Sequence, residues 1–249
     1  MANWSDPRTT AVPRAAAGAR DAAFDAGLRS YMLSVYNYMA SGVLLTGIVA
    51  MLFARGGANS AAAHLFLGGG LLPMVVIFAP LGIVFAMSFG IQRMSETTAK
   101  ALFWAYAVLM GLSTSVIFLV YTGSSIAQTF FATAASFAGL SLYGYTTKRN
   151  LAPLGAFFFM AVIGLLVAML INMFMPASIN GPMNLIISGI GVLLFAGITA
   201  YRTQMIKSGY FAVRGTDFQG RAAIIGALGL YIAFLNMFMF LLRFMGNRR

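Results

Sequence analysis

Long charge-free blocks dominate the chain. Uninterrupted stretches of 25 residues (30–54), 37 (56–92), 47 (101–147), 52 (150–201) and 21 (222–242) lie between charged side chains. One helical crossing of a bilayer takes about 20 residues, so the 47- and 52-residue stretches must each fold back once. Turn-forming residues mark where. "YTGSSIAQ" (121–128) divides the first, and "MPASINGP" (175–182), with Pro176, Gly181 and Pro182, divides the second. In the 37-residue stretch, "GGANSAAAH" reads as loop and "LFLGGGLLPMVVIFAPLGIVFAM" as span, with Pro73 or Pro80 as places for a bend. The pattern predicts seven spans, at 32–54, 67–90, 101–121, 126–147, 153–175, 182–204 and 222–244.

Composition agrees. Of 249 residues, 60% are hydrophobic and 8% charged, with mean hydropathy +0.86, whereas soluble domains carry roughly 25% charged residues. The expectation is an all-α membrane protein with a flexible cytoplasmic tail (1–30) and a seven-helix domain (31–249). The tail has no short apolar core, which argues against a cleavable signal peptide and makes the first span a retained anchor. Twelve of the sixteen Lys and Arg residues fall in the tail and the loops joining spans 2–3, 4–5 and 6–7. Basic residues near span ends favour the cytoplasm, so the N-terminus is predicted inside and the C-terminus outside. The net charge of +11 therefore reads as a topology signal and an affinity for anionic lipid headgroups, with no nucleic acid as partner.

The polar inventory narrows the chemistry. All five acids, Asp6, Asp21, Asp25, Glu96 and Asp217, lie in the tail or at span ends, and the single histidine, His64, is in a loop. Proton relays, cation cages and voltage sensors usually need ionisable groups inside the spans. One His without a nearby Cys or acid provides neither a triad nor a metal site. The chain is expected not to be an enzyme and to hold no cofactor and no metal.

Small and weakly polar residues line two predicted helix faces. On the seventh span, Ala222, Gly226, Gly229, Ala233 and Asn236 recur at spacings of 4, 3, 4 and 3, which is one face of a helix. Such a stripe is a packing seam or the lining of a path, and either use buries the helix. Asn236 is a candidate for a bond to a neighbouring helix. On the sixth span, Asn184, Ser188, Gly191, Phe195, Thr199 and Arg202 follow the same rule. Arg202 lies 20 residues from Pro182, on the order of 30 Å and one hydrocarbon thickness. That count puts it near the inner boundary, as a snorkelling anchor or as a functional charge. Tyr31, Tyr36, Tyr38, Trp104 and Tyr145 fit an aromatic belt at the interface.

Five segments carry a resemblance: "YNYMASGVLLTGIVA" (36–50), "TTAKALFWAYAVLMGLSTSVIFLVYTG" (97–123), "LSLYGYTTKRNL" (140–151), "FAGITAYRTQMIK" (195–207) and "GALGLYIAFLNMFMFLLRFMGNRR" (226–249). In order and spacing the chain resembles the Bax inhibitor-1 family, the transmembrane Bax inhibitor motif proteins, and in particular a bacterial YccA-like branch. The resemblance implies seven helices with six around a central seventh, a place in the bacterial inner membrane, and a role in ion homeostasis through a pH-sensitive calcium leak. It also makes calcium or protons, and a membrane protease such as FtsH, possible partners. The leak depends on two aspartates, one after the tyrosine of a "YDTQ"-like motif and one in a "YLDFIN"-like motif. Neighbouring carboxylates resist ionising together, so their shared titration can lie near physiological pH.

This sequence departs from that pattern. The first motif reads "YRTQ", with Arg202, the second reads "YIAFLN", with Ala233, and a third acid of a "KRDL"-like turn is Asn150. A family arginine at the end of span two, matched by Arg93, would then face Arg202 with like charge. The resemblance thus implies candidate latch or pore positions at Arg93, Arg202, Ala233 and Asn236, with the acid pair replaced.

Overall fold

A computed structural model describes the backbone of residues 14–248 and the side chains of residues 26–176 and 181–248. Among the described residues the chain is helical, in the order α1 (Arg14–Phe53), a 3₁₀ turn (Gly57–Asn59), α2 (Ala61–Leu67), α3 (Leu72–Gly90), α4 (Glu96–Thr114), α5 (Ile117–Val120), α6 (Gly123–Thr146), α7 (Leu154–Met173), α8 (Ala177–Val213) and α9 (Gln219–Met245). Seven segments are long and apolar enough to cross a membrane: 26–53, 72–90, 96–120, 123–146, 154–173, 181–213 and 219–245.

Local chemistry sets the boundaries. Ser60, Ser95 and Thr122 cap α2, α4 and α6, their hydroxyl oxygens accepting the backbone N–H of Ala63, Thr98 and Ser125, which supplies a partner to an otherwise orphaned amide. Pro73 lies in the first turn of α3, where it is tolerated, and Pro80 lies inside it. The α8–α9 turn uses Gly215 at φ 71°, a conformation that costs glycine nothing. Residues 14–30, expected as flexible tail, continue α1 without a break, because an Ala-rich run has high helix propensity. Residues 1–13 of that tail lie outside the described residues.

Helix α9 is the centre of the bundle: of its membrane segment, 67% is buried, against 6% for α7 and 11% for α3. Its most extensive packing is with α8, followed by α1, α6 and α4, while α3 packs on α4 and α7 on α8. The main neighbours of the central helix are therefore four, with α3 and α7 in outer positions. Large apolar side chains such as Phe89, Phe159 and Met160 are exposed on those two helices, a surface suited to lipid chains rather than water.

The bundle is cross-tied by hydroxyl groups. Thr46 on α1 donates to Ala107 O on α4 at 2.8 Å and bonds Tyr231 Oη on α9 at 2.5 Å. Ser141 on α6 bonds Tyr36 Oη at 3.0 Å and Thr203 Oγ1 on α8 at 2.9 Å, joining three helices through one oxygen. Tyr31, expected in an interfacial belt, is 6% exposed and packs its ring 5.1 Å from that of Tyr210. The end of the chain is tied down as well, with Thr122 N donating to Asn247 O and Asn247 N to Ser125 Oγ.

Candidate functional site

The seam between α8 and α9 is built on missing side chains. A β-carbon placed on Gly226 would meet Ile206 at 3.2 Å, and one on Gly191 would strike the ring of Phe240 at 2.6 Å. Glycines at these positions make room for the side chains of the facing helix, Ile206 of α8 and Phe240 of α9. Gly226, Gly229 and Ala233 are buried, and Ala222, at the start of α9, is half-buried.

Arg202 enters this seam at Gly229. A β-carbon on Gly229 would lie 2.5 Å from Arg202 Nη1, 3.4 Å from Cζ and 3.6 Å from Cδ, so the guanidinium occupies the space that glycine leaves. Arg202 is not at the end of its helix: α8 continues eleven residues beyond it to Val213, and Gly209 within that stretch weakens the helix without ending it. Gly229 is ten residues from the start of α9 at Gln219, so the charge sits about 15 Å from the near end of either helix. It is within one turn of the midpoint of α9.

The four residues of "YRTQ" each serve a different neighbour. Tyr201 packs on Phe158 of α7 with ring centroids 5.7 Å apart, Arg202 meets α9, and Thr203 bonds Ser141 of α6. Gln204 clamps the α6–α7 loop, accepting from Leu151 N and donating to Arg149 O, both at 2.7 Å. One turn later, Lys207 donates to Tyr145 O at 2.7 Å, satisfying a carbonyl at the end of α6.

Arg202, Ala233 and Asn236 line one cavity of about 470 Å³, whose far end is lined by Phe240 and Arg243. Its walls are otherwise mainly apolar, from α4, α7, α8 and α9. Asn236 donates to Ile232 O of its own helix at 2.8 Å, so the expected bond to a neighbouring helix is not made by that amide. Arg202 has no hydrogen-bond or ion-pair partner among the described residues, and no acid is among the cavity's lining residues. The two acids whose side chains are described stand elsewhere: Glu96 pairs with Lys100 at 2.6 Å, and Asp217 is in the α8–α9 turn.

Arg93 is not brought to this cavity. It is exposed in the turn after α3, and the arginine that engages that turn is Arg221, whose Nη1 donates to the carbonyls of Ile91, Gln92 and Met94 at 3.4, 2.9 and 3.0 Å. The family resemblance singled out Arg93 at the end of span two, whereas Arg221 reaches the carbonyls of that turn from the start of α9. A larger crevice of about 780 Å³ lies between α1 and α6, lined mostly by apolar side chains with Arg29 among them. It shares no residue with the Arg202 cavity, and no charged group apart from Arg29 lines it.

A seven-span helical membrane protein with a cationic cavity beside its central helix is the class these features define. The family model described as "Inhibitor of apoptosis-promoting Bax1" matches residues 28–249. An uncharacterized protein of Rickettsia prowazekii is 44% identical, the match covering 91% of this chain and 93% of that one. An uncharacterized protein of Caulobacter vibrioides is 42% identical over 92% of this chain and 93% of its own. Inner membrane protein YbhL of Escherichia coli is also 42% identical, over 90% of this chain and 94% of its own. The chain belongs to the Bax inhibitor-1 family and is a multi-pass membrane protein.

Proposed function

We propose that this chain is an inner-membrane member of the family whose α8–α9 seam holds a fixed positive charge where the family resemblance implies a proton-sensing acid pair, and that it therefore lacks a pH-gated calcium leak. One observation carries this reading: the Arg202 guanidinium sits against Gly229 with no hydrogen-bond or ion-pair partner among the described residues, and none of the described acids lines its cavity. A doubly charged cation about 5 Å from that guanidinium is repelled by roughly 7 kcal/mol at an effective dielectric constant of about 20. Since about 1.4 kcal/mol is a factor of ten in occupancy, repulsion dominates any contact Asn236 offers. The excess of basic residues in the tail and in loops 2–3, 4–5 and 6–7 supports a cytoplasmic N-terminus with the C-terminus opposite. The test is calcium flux into proteoliposomes from mildly acidic to mildly alkaline pH, comparing the unmodified chain with Arg202→Asp plus Ala233→Asp. The unmodified chain is expected to show no pH-dependent flux; robust pH-dependent flux without either acid would refute the reading.

A second reading is a non-conducting partner of a membrane protease such as FtsH. It is favoured by the polar, charged N-terminal tail, residues 1–30, together with the replaced acid pair at Arg202 and Ala233. Cross-linking and pull-down from native membranes, with and without residues 1–30, test it. An unchanged monomeric profile counts against it.

A further inference from the structure

Arg202 stands inside a segment long and apolar enough to cross a membrane, where an ionised side chain is costly. Translocon-based scales put its cost at roughly 2.5–3.5 kcal/mol at the centre of a span, and such residues normally pair or face a functional cavity. Among the described residues no acid lines the cavity of Arg202, whose side chain stays exposed, which leaves the guanidinium open to an anion from outside the bundle.

The cavity restricts what that anion is. Its volume of about 470 Å³ falls in the usual range for small-molecule sites, about 300–1,000 Å³. Beyond Arg202 most of its walls are apolar, among them Leu165, Met169, Ile232 and Met239, with Thr114, Asn236 and Arg243 as the polar side chains, a lining that suits an amphiphile better than a hydrated inorganic ion. The cavity runs along α9 from the level of Arg202 to Arg243, fourteen residues beyond Gly229, a length of about 21 Å. Its walls come from α4 on one side and from α7 and α8 on the other, and α4 and α7 share no extensive packing that would close it. Leu166, on the α7 side of the cavity, is 55% exposed.

We propose that this cavity binds a long-chain fatty acid taken from the bilayer, its carboxylate on the Arg202 guanidinium and its chain along α9 toward Arg243. A guanidinium presents a planar fork that matches a carboxylate with two parallel hydrogen bonds. The apolar walls take the chain. A phospholipid fits less well, since its headgroup belongs at the interface, about 15 Å from this depth, and it carries two chains into one slot. The inference rests on the cationic seam, not on the absence of a calcium leak.

Palmitate bearing a diazirine at its ω end is the probe. In nanodiscs of neutral lipid it is expected to cross-link the full-length protein on α9 near Met239–Arg243. Palmitate should compete, whereas methyl palmitate, sodium chloride and sodium phosphate should not. Arg202→Gln is expected to weaken competition by palmitate roughly tenfold, while Arg202→Lys, which keeps the charge and loses the fork, falls between. Ala233→Trp, which fills the cavity and leaves the arginine in place, should abolish labelling. Size-exclusion profiles and melting temperatures establish that each variant is folded; if one is not, the remaining variants and the ester control decide. Equal competition by the methyl ester, unchanged labelling in both Arg202→Gln and Ala233→Trp, or displacement by chloride or phosphate alone would overturn the proposal. Because no step involves calcium, its failure is distinguishable from failure of the flux result.

Discussion

The Arg202 guanidinium fills the space beside Gly229 that any other residue's β-carbon would take, with Nη1 2.5 Å from that point. The contact joins two elements of different origin, a polar residue of α8 and the small-residue face of α9. It makes the two positions energetically dependent on each other. Because Nη1 is the far end of a flexible side chain, Gly229→Ala is expected to displace it at a cost roughly offset by the gain of about 1 kcal/mol in helix propensity, and to be more stabilising in an Arg202→Ala background, where nothing has to move. Reversible unfolding in mixed micelles, run as a double-mutant cycle, should give a coupling of about 0.5–2 kcal/mol. Additive effects would mean that the guanidinium lies elsewhere.

Ser141 joins α1, α6 and α8 through one hydroxyl. Single hydrogen bonds between membrane helices average about 0.6 kcal/mol and reach about 1.7, so Ser141→Ala is predicted to cost about 1 kcal/mol. Thr203, fully buried at the other end of the relay, gives the comparison. Thr203→Val keeps the shape, removes one bond, and should cost about half as much in the same unfolding assay.

Tyr231 is fully buried, bonded to Thr46 and set edge-on against Phe103 and Tyr106, with ring centroids 6.1 and 5.3 Å away. Tyr231→Phe should cost about 1 kcal/mol, because Thr46 keeps its bond to Ala107 O. Tyr231→Ala opens a cavity at the centre of the bundle and should cost about 3 kcal/mol or more. Melting temperatures in detergent should rank the three proteins in that order.

Gln204 holds the α6–α7 loop by two bonds to backbone, at Arg149 O and Leu151 N. Lys148 and Arg149 make this loop a trypsin site, and cleavage requires the backbone to open locally. Gln204→Ala should speed tryptic cutting there several-fold in detergent, while Gln204→Glu, which keeps one acceptor, should have a smaller effect. Equal cleavage rates for all three chains would show that the clamp does not hold the loop.

Much of this was legible before any coordinates. Seven spans followed from charge-free stretches and turn residues, because the hydrocarbon core leaves little choice in helix length. The burial of the last span followed from its small-residue stripe, whose glycines do meet α8. The end of the sixth helix was placed too early, at residue 204, whereas α8 runs to Val213. Polar helix formers continue a helix as readily outside the membrane as inside it. The partners of Tyr201, Thr203 and Gln204 had no sequence signal, since each depends on how α6 and α7 pack rather than on spacing along α8. Asn236 was read as a tie to another helix, but its amide donates to the carbonyl one turn back, an alternative that periodicity cannot distinguish.

Everything proposed for the seam depends on Arg202 facing the last helix at Gly229. The natural chain contains no cysteine, so Arg202→Cys with Gly229→Cys creates an isolated pair, and Arg93→Cys with Arg202→Cys a control. After oxidation in native membranes, or reaction with a short dithiol-specific cross-linker, peptide mass spectrometry reports which pairs have joined. Efficient linkage of 202 to 229 within one chain, and none of 93 to 202, is the predicted result. Linkage of 93 to 202 with none of 202 to 229 would contradict the account.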